Sequence, residues 1–135
     1  MAVVIDASVI VKWVLREAGS AAAFALRTQA LIAPSLWSAE VGNVLWRRAM
    51  QGELTPAEAS DLLSDLQQAA LKEVPIGGLA ADALTLSLEL NHPIYDCLYL
   101  ALAIREETYV VTADRRFAAL AEKRADLNGR IRALA

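Results

Sequence analysis

Short apolar segments that stop at a polar residue alternate with helical segments along this chain, and this alternation constrains the fold most strongly. Ala2–Ile5 is a β-branched apolar run that ends at Asp6 and predicts a buried strand. Thr108–Thr112, with the sequence Thr-Tyr-Val-Val-Thr, has the clearest strand composition. Buried strands that alternate with helices predict a parallel sheet covered on both faces, which is a three-layer α/β/α fold.

Weaker strand candidates add to this pattern at Leu31–Ala33, Glu73–Ile76 and Ile131–Leu134. Helices are predicted between the strands, over Val9–Glu17, Ser20–Thr28, Leu36–Met50, Pro56–Leu71, Leu79–Leu90, Pro93–Glu106 and Asp114–Arg124. Ser8 and Ser35 are the predicted N-caps of the first and third helices. Thr55 and Glu58 predict a capping box on the fourth helix. Some strands are therefore joined by two helices rather than one.

Composition and length indicate a small folded domain. The 135 residues, 56% hydrophobic and 21% charged, suffice for one domain over residues 1–135 and argue against disorder. The longest apolar run, Cys97–Ile104, is shorter than the about 20 residues that cross a bilayer, and the N-terminus lacks the basic segment of a signal peptide. A single cysteine excludes an internal disulfide and a cysteine-rich zinc site, so we expect a cytoplasmic protein without membrane contact.

The formal net charge of −3 does not favour nucleic acid as a partner when it is considered alone. However, residues 105–135 contain seven lysines and arginines against five acids, whereas residues 1–104 contain six against eleven. The negative charge is therefore concentrated in the first part of the chain. Its meaning depends on whether those acids are dispersed over the surface or gathered in one site.

Three aspartates lie where the predicted fold would gather them. Asp6 ends the first strand, Asp114 follows the strand Thr108–Thr112, and Asp96 lies in the first turn of the helix that Pro93 opens. In an open α/β sheet, ligands bind beyond the carboxyl ends of the strands, so these carboxylates are expected to converge at one edge. Taken singly, Asp96 is equally compatible with an ordinary first-turn acid, and Asp114 with a helix N-cap.

Glu40 is a fourth candidate because it lies on or beside the apolar stripe of its helix. It follows Trp37 by three residues and precedes Val44 by four, so it is not on the fully solvated face. A buried carboxylate without a partner is costly, and several carboxylates in one place repel one another. A hard divalent cation would compensate all four acids, and an all-oxygen site favours Mg²⁺ or Mn²⁺ over zinc.

Four motifs carry these acids in an order and spacing that resemble the PIN-domain endoribonucleases. The motifs are Val3–Ser8 (Val-Val-Ile-Asp-Ala-Ser), Pro34 with Glu40 six residues later, Pro93–Ala101 (Pro-Ile-Tyr-Asp-Cys-Leu-Tyr-Leu-Ala) and Val111–Asp114 (Val-Thr-Ala-Asp). More narrowly, the chain is similar to the toxins of VapBC-type toxin–antitoxin pairs over nearly its whole length. Many of those relatives carry another Asp or Asn soon after the last aspartate, where this chain has Arg115–Ala118, so a second, weaker metal position is in doubt.

This resemblance implies a PIN-like domain that cleaves RNA with a bound cation. Asp6, Asp96 and Asp114 would supply a Mg²⁺ or Mn²⁺ site, with Asp6 and Asp96 as direct ligands. Glu40 would bind the cation, directly or through water, or help to deprotonate the attacking water. Hydrolysis by metal-activated water would leave 5′-phosphate and 3′-hydroxyl ends. The implied partners are RNA, an antitoxin protein and a second copy of the chain.

Residues beside the acids have supporting roles in this interpretation. Ser8 and Thr112 would orient the carboxylates through their hydroxyls, although capping and strand-end roles fit them equally. Arg115 and Arg116 directly follow Asp114, so they are the first candidates for phosphate contacts, ahead of Lys12 and the pair Arg47-Arg48. A solvated first helical turn is the other interpretation of the two arginines after Asp114.

Other mechanisms and function classes are alternatives. A metal-free ribonuclease would need two groups that exchange protons near neutral pH, but His92 is the only histidine, so a structural role is predicted for it. Cys97, without a paired histidine, is predicted to be a small buried residue. The alternatives to a toxin are a stand-alone RNA-processing nuclease and a non-catalytic PIN-fold module that binds a protein. A receiver domain is disfavoured because its first strand would need an acidic pair, and here it offers only Asp6.

Overall fold

A five-stranded parallel sheet forms the centre of the computed structural model, which describes residues 1–135. Its strands are β1 (Val3–Ile5), β2 (Leu31–Pro34), β3 (Lys72–Val74), β4 (Val110–Thr112) and β5 (Ile131–Ala133). They lie in the order β3-β2-β1-β4-β5, and every neighbouring pair is parallel. β1, with the sequence Val-Val-Ile, is fully buried in the middle, as expected of an apolar strand covered on both faces.

The helices that connect the strands are α1 (Ala7–Ile10), α2 (Ser20–Ala25), α3 (Trp37–Met50), α4 (Pro56–Gln67), α5 (Ala80–Leu90), α6 (Ile94–Arg105) and α7 (Arg115–Ala118). α6 is buried over seven consecutive residues, Cys97–Ala103, and packs against β1, β2, β4 and α5. A helix that is apolar on all sides lies between other elements rather than on the surface. The predicted three-layer α/β/α architecture with a parallel central sheet is confirmed. None of the helices is both long and apolar enough to span a membrane.

The direction in which the chain adds strands reverses at the middle of the sheet. From β1 the chain adds β2 and β3 on one side, and it then returns to add β4 and β5 on the other. The connections that leave the carboxyl ends of β1 and β4 therefore diverge, and such a switch point opens a crevice at this end of the sheet. Ile5 pairs with Val111, so the register brings Asp6, which follows β1, beside the end of β4. Asp114 follows β4 by two residues.

Two helix starts differ from the prediction. Asp6, not Ser8, caps α1, because the Asp6 side chain accepts the N–H of Val9 and α1 begins at the very next residue. Ser35 does not cap α3: Leu36 is the cap residue, and no side chain accepts the first N–H groups of this helix. At α1 the aspartate at the strand end therefore takes the place that the serine was expected to fill.

The start of α4 agrees with the prediction, whereas the last helix is shorter than predicted. The capping box is confirmed: Thr55 Oγ1 accepts the N–H of Glu58, and the Glu58 side chain accepts the N–H of Thr55. The helix expected over Asp114–Arg124 is instead one α-helical turn, α7, followed by a 3₁₀ turn over Ala119–Glu122. Tightened turns of this kind are common where helices end.

The burial of α6 predicts that its leucines contribute strongly to stability. Leu102 is fully buried, so Leu102→Ala should lower the free energy of unfolding by about 2–5 kcal/mol in urea denaturation. Leu88→Ala is the matched control, because Leu88 on α5 is 75% exposed and its truncation creates no cavity. Equal losses from the two variants would contradict the central position of α6.

Candidate active site at the sheet edge

One cavity of about 510 Å³ lies at the carboxyl edge of the sheet, and the four predicted acids all line it. Asp6 reaches it from the end of β1, Glu40 from α3, Asp96 from the first turn of α6 and Asp114 from the start of α7. The structure therefore brings together side chains from four separate segments of the chain. Their roles in metal binding and catalysis remain predictions.

Asp6 is the most buried of the four acids, with 4% of its surface exposed. Its Oδ1 accepts hydrogen bonds from Ser8 Oγ at 2.5 Å and from the N–H of Val9 at 3.3 Å. The pKa of Asp6 is raised to about 7, mainly by burial and to a smaller extent by the negative charge of Asp96, against the hydrogen bonds from the Ser8 and Thr112 hydroxyls, which lower it. Asp6 is thus held in place by neutral donors that do not cancel its charge.

Asp96 is half-buried and contacts a residue to which the sequence assigned only a structural role. Nε2 of His92 lies 2.7 Å from Asp96 Oδ2 and donates to it, and the His92 ring stacks on Phe117 with centroids 6.2 Å apart. Burial raises the pKa of Asp96, and so does the charge of Asp114, whereas His92 and the more distant charge of Arg116 lower it.

Glu40 is held by a buried phenol. The hydroxyl of Tyr99, on α6, donates to Glu40 Oε1 at 2.7 Å, and Tyr99 itself is fully buried. Burial raises the pKa of Glu40, and the hydrogen bond from Tyr99 lowers it. Burial and the neighbouring carboxylate also raise the pKa of Tyr99, so the phenol keeps its proton and remains a donor.

Asp114 is exposed and caps α7. Its Oδ1 accepts the N–H groups of Arg116 at 2.8 Å and Phe117 at 3.3 Å, which confirms the N-cap interpretation alongside its place in the cavity. The Ser8 hydroxyl connects this turn to the β1 edge, because its Oγ accepts the N–H of Ala113 at 2.9 Å. Within the turn, Thr112 Oγ1 accepts the N–H of Asp114 at 3.0 Å. The same Ser8 hydroxyl therefore contacts both strand ends.

The donor chemistry of the cavity fits a hard divalent cation. In each of the four carboxylates, the protein hydrogen bonds go to one oxygen, which leaves the other oxygen without a protein donor. The acids also raise one another's pKa, as expected of charges that a cation would stabilise. No three acidic, histidine or cysteine side chains are arranged in the structure so as to hold one ion.

The first candidates for phosphate contacts, Arg115 and Arg116, do not line this cavity, whereas Arg47, one of the weaker candidates, does. Arg115 instead lines a neighbouring depression of about 770 Å³ that shares Asp114 with the cavity and also contains Lys12. The basic residue in the cavity wall is Arg47, on α3. Arg116 acts on the site through its charge near Asp96.

Sequence reasoning gave no role at the site to three further residues, each of which stands at helical spacing from one of the acids. Asn43 follows Glu40 by three residues and lines the cavity, Tyr99 follows Asp96 by three, and His92 precedes Asp96 by four. This spacing is the signal that could have found them. Cys97 is buried as predicted, and burial raises the pKa of its thiol to about 11, so it is not a thiolate at neutral pH.

Burial of Asp6 predicts an unusual pH dependence of stability in the absence of metal. Between its ordinary pKa of 3.8 and about 7, the folded protein keeps a proton on Asp6 that the unfolded chain has lost, so the free energy of unfolding falls as pH rises through this range. Urea unfolding in EDTA at about pH 5 and about pH 8 should show this loss. Asp6→Asn retains the cap and should show a smaller loss; an unchanged loss in this variant would contradict the assignment.

The bond from Tyr99 predicts a second measurable shift. Tyr99→Phe removes the donor but keeps the packed ring, and desolvation then acts on Glu40 unopposed, so the pKa of Glu40 should rise. Carboxyl ¹³C NMR titration would measure this change. Tyr109→Phe is the control, because the Tyr109 phenol makes no bond to any acid of the cavity. An unchanged or lowered pKa of Glu40 in Tyr99→Phe would show that the bond is absent in solution.

Comparison with known proteins agrees with this architecture. The sequence profile of the PIN domain family matches residues 3–123, a range that includes all four acids. Ribonuclease VapC3 of Pyrobaculum aerophilum is 35% identical over 122 residues, which cover 87% of this chain and 93% of that protein. The crystal structure of PAE2754 from Pyrobaculum aerophilum has a TM-score of 0.74 at 25% identity, and the match covers 98% of this chain and 83% of that one. This chain therefore belongs to the PIN domain family.

Proposed function

We propose that this protein is an endoribonuclease that hydrolyses RNA phosphodiester bonds with Mg²⁺ or Mn²⁺, and that it acts as the toxin of a type II toxin–antitoxin pair. The observation that carries the proposal is the cavity in which four carboxylates each keep one oxygen free of protein donors. The similarity to a protein named as a VapC ribonuclease, over most of both chains, supports the same activity.

In this proposal Asp6 and Asp96 are the first ligands of the cation, and Asp114 completes the site from the exposed side. A bound divalent cation supplies Lewis-acid chemistry, since it promotes the ionisation of water and offsets negative charge on the phosphate. Ser8 and His92 hold one oxygen of Asp6 and of Asp96, which orients the other oxygen of each carboxylate. Thr112 fixes the backbone from which Asp114 extends.

Glu40 is suited to accept a proton from the attacking water, or to bind the cation through water. Its carboxylate faces the cavity, and burial raises its pKa toward the working range of a general base. The bond from Tyr99 fixes Oε1, so Oε2 is the oxygen that would take the proton. Attack by water rather than by the ribose 2′-hydroxyl would give 5′-phosphate and 3′-hydroxyl ends.

The proposed partners besides RNA are a cognate antitoxin and a second copy of the chain. Large apolar side chains are exposed on two helices, with Trp46 and Met50 on α3 at 57% and 67%, and Leu84 and Leu88 on α5 at 51% and 75%. Exposed apolar surface of this kind is typical of protein–protein contact. The free, buried Cys97 is compatible with a reducing cytoplasmic compartment.

Cleavage of a fluorescent single-stranded RNA tests the proposed function. The wild-type protein should cut RNA with Mg²⁺ or Mn²⁺ and lose this activity in EDTA. Asp96→Asn should lower kcat by at least about 100-fold, because even the outer partners of metal ligands contribute 10- to 100-fold. Asp65→Asn is the matched control, since Asp65 is an exposed aspartate on α4 outside the cavity. Cleavage that survives both EDTA and Asp96→Asn would show that the proposed mechanism is wrong.

A further inference from the structure

We infer that Tyr95, Asn43 and Arg47 form a subsite for one nucleotide of single-stranded RNA next to the bond that is cut. The inference rests on the proposed function and assigns the non-acidic wall of the same cavity. These three residues line the cavity opposite or beside the acids, and none of them takes part in the hydrogen bonds that hold the carboxylates.

One side of the cavity is a continuous face of α3. Four residues of this face line the cavity: Glu40, and then Asn43, Val44 and Arg47, which follow Glu40 by three, four and seven residues. Seven residues of helix correspond to a rise of roughly 10 Å. The guanidinium of Arg47 is thus carried by the same helix face as Glu40 but about two turns away from it, at a separation suited to a neighbouring phosphate rather than to the reacting one.

The guanidinium of Arg47 is exposed and forms no ion pair. Its neighbour Arg48 differs, because it is paired with Glu17 at 2.7 Å and with Glu53 at 3.2 Å. Arg47 is therefore the cation of the cavity wall that is available to an anion, and arginine is a common donor to phosphate oxygens. Arg47 would attract a phosphate of the RNA strand that the proposed function assigns to this cavity.

Tyr95 supplies an exposed aromatic face beside the acids. It directly precedes Asp96 at the start of α6, 58% of its surface is exposed, and its hydroxyl makes no hydrogen bond to the protein. Unstacked bases of single-stranded RNA bind by stacking on such rings. An open cavity with one aromatic face and one cation therefore fits a single strand whose base has left its stack, and not a duplex.

The amide of Asn43 lies on the α3 face between Glu40 and Arg47, and it is exposed. It can donate to or accept from the sugar and phosphate groups of the same nucleotide. Stacking and phosphate contact are both tolerant of base identity, so this subsite contributes affinity and strand position rather than sequence preference.

Binding and cleavage of a labelled single-stranded RNA of about ten nucleotides test the subsite, with fluorescence anisotropy in EDTA and steady-state cleavage with Mg²⁺. Arg47→Gln should weaken binding and raise KM by roughly 5- to 10-fold, because one phosphate contact is lost. It should also reduce the salt dependence of binding by about one ion and leave kcat within about twofold.

Tyr95→Ala should weaken binding by about 10-fold, and Tyr95→Phe should restore it, because phenylalanine keeps the stacking face. Arg105→Gln, a loss of the same charge from the far end of α6, is the control and should change binding little.

The outcomes separate this inference from the proposed function. If the wild-type protein cuts RNA but Arg47→Gln and Tyr95→Ala bind and cut like the wild type, only the subsite is wrong. If these variants instead lose binding to an antitoxin while RNA binding is unchanged, the wall is a protein interface and the inference is overturned. If the wild-type protein neither binds nor cuts RNA, both the subsite and the proposed function fail.

Discussion

The confinement of four carboxylates to one partly buried cavity is the interaction on which the rest of this site depends. Loss of solvent raises the pKa of Asp6, Glu40 and Asp96, and their mutual repulsion adds to the effect. The fold brings the four carboxylates together because the strand order reverses at β1. The segments that leave β1 and β4 therefore diverge, and the crevice between them lies beside the start of α6. The carboxylates that repel one another are therefore gathered in one place, where all of them would attract a bound cation.

The groups that position these carboxylates are mostly neutral donors. A serine hydroxyl holds Asp6, a tyrosine hydroxyl holds Glu40, and backbone N–H groups hold Asp114. Several basic side chains are instead paired elsewhere, as Lys12 is with Glu17, Arg48 with Glu17 and Glu53, and Arg124 with Glu89 and Asp126. The carboxylates are thus oriented without being neutralised, which leaves their negative charge for the proposed metal ion and leaves Arg47, which forms no ion pair, for the proposed phosphate contact.

The parts of the structure that could be predicted are those set by local sequence and strand position. Asp6, Asp96 and Asp114 follow from their places after strands and in a first turn, and Glu40 from its place beside an apolar stripe. The bond from Tyr99 to Glu40 could not be predicted, because it depends on how α6 packs relative to α3, whereas the four-residue spacing of His92 and Asp96 could have indicated their contact. The cap of α1 was also predicted wrongly. Asp6 and Ser8 are two residues apart and both are suitable caps, so the choice between them depends on where β1 ends.

Locating a bound cation tests the central claim most directly. Crystals of the protein soaked in Mn²⁺ and measured at the manganese absorption edge would show where the ion binds. We expect an anomalous peak in the cavity, in contact with Asp6 and Asp96, and no such peak in crystals of Asp6→Asn. A wild-type protein that cleaves RNA with Mn²⁺ but shows no manganese in the cavity, or shows it only at another place, would contradict the assignment of these carboxylates.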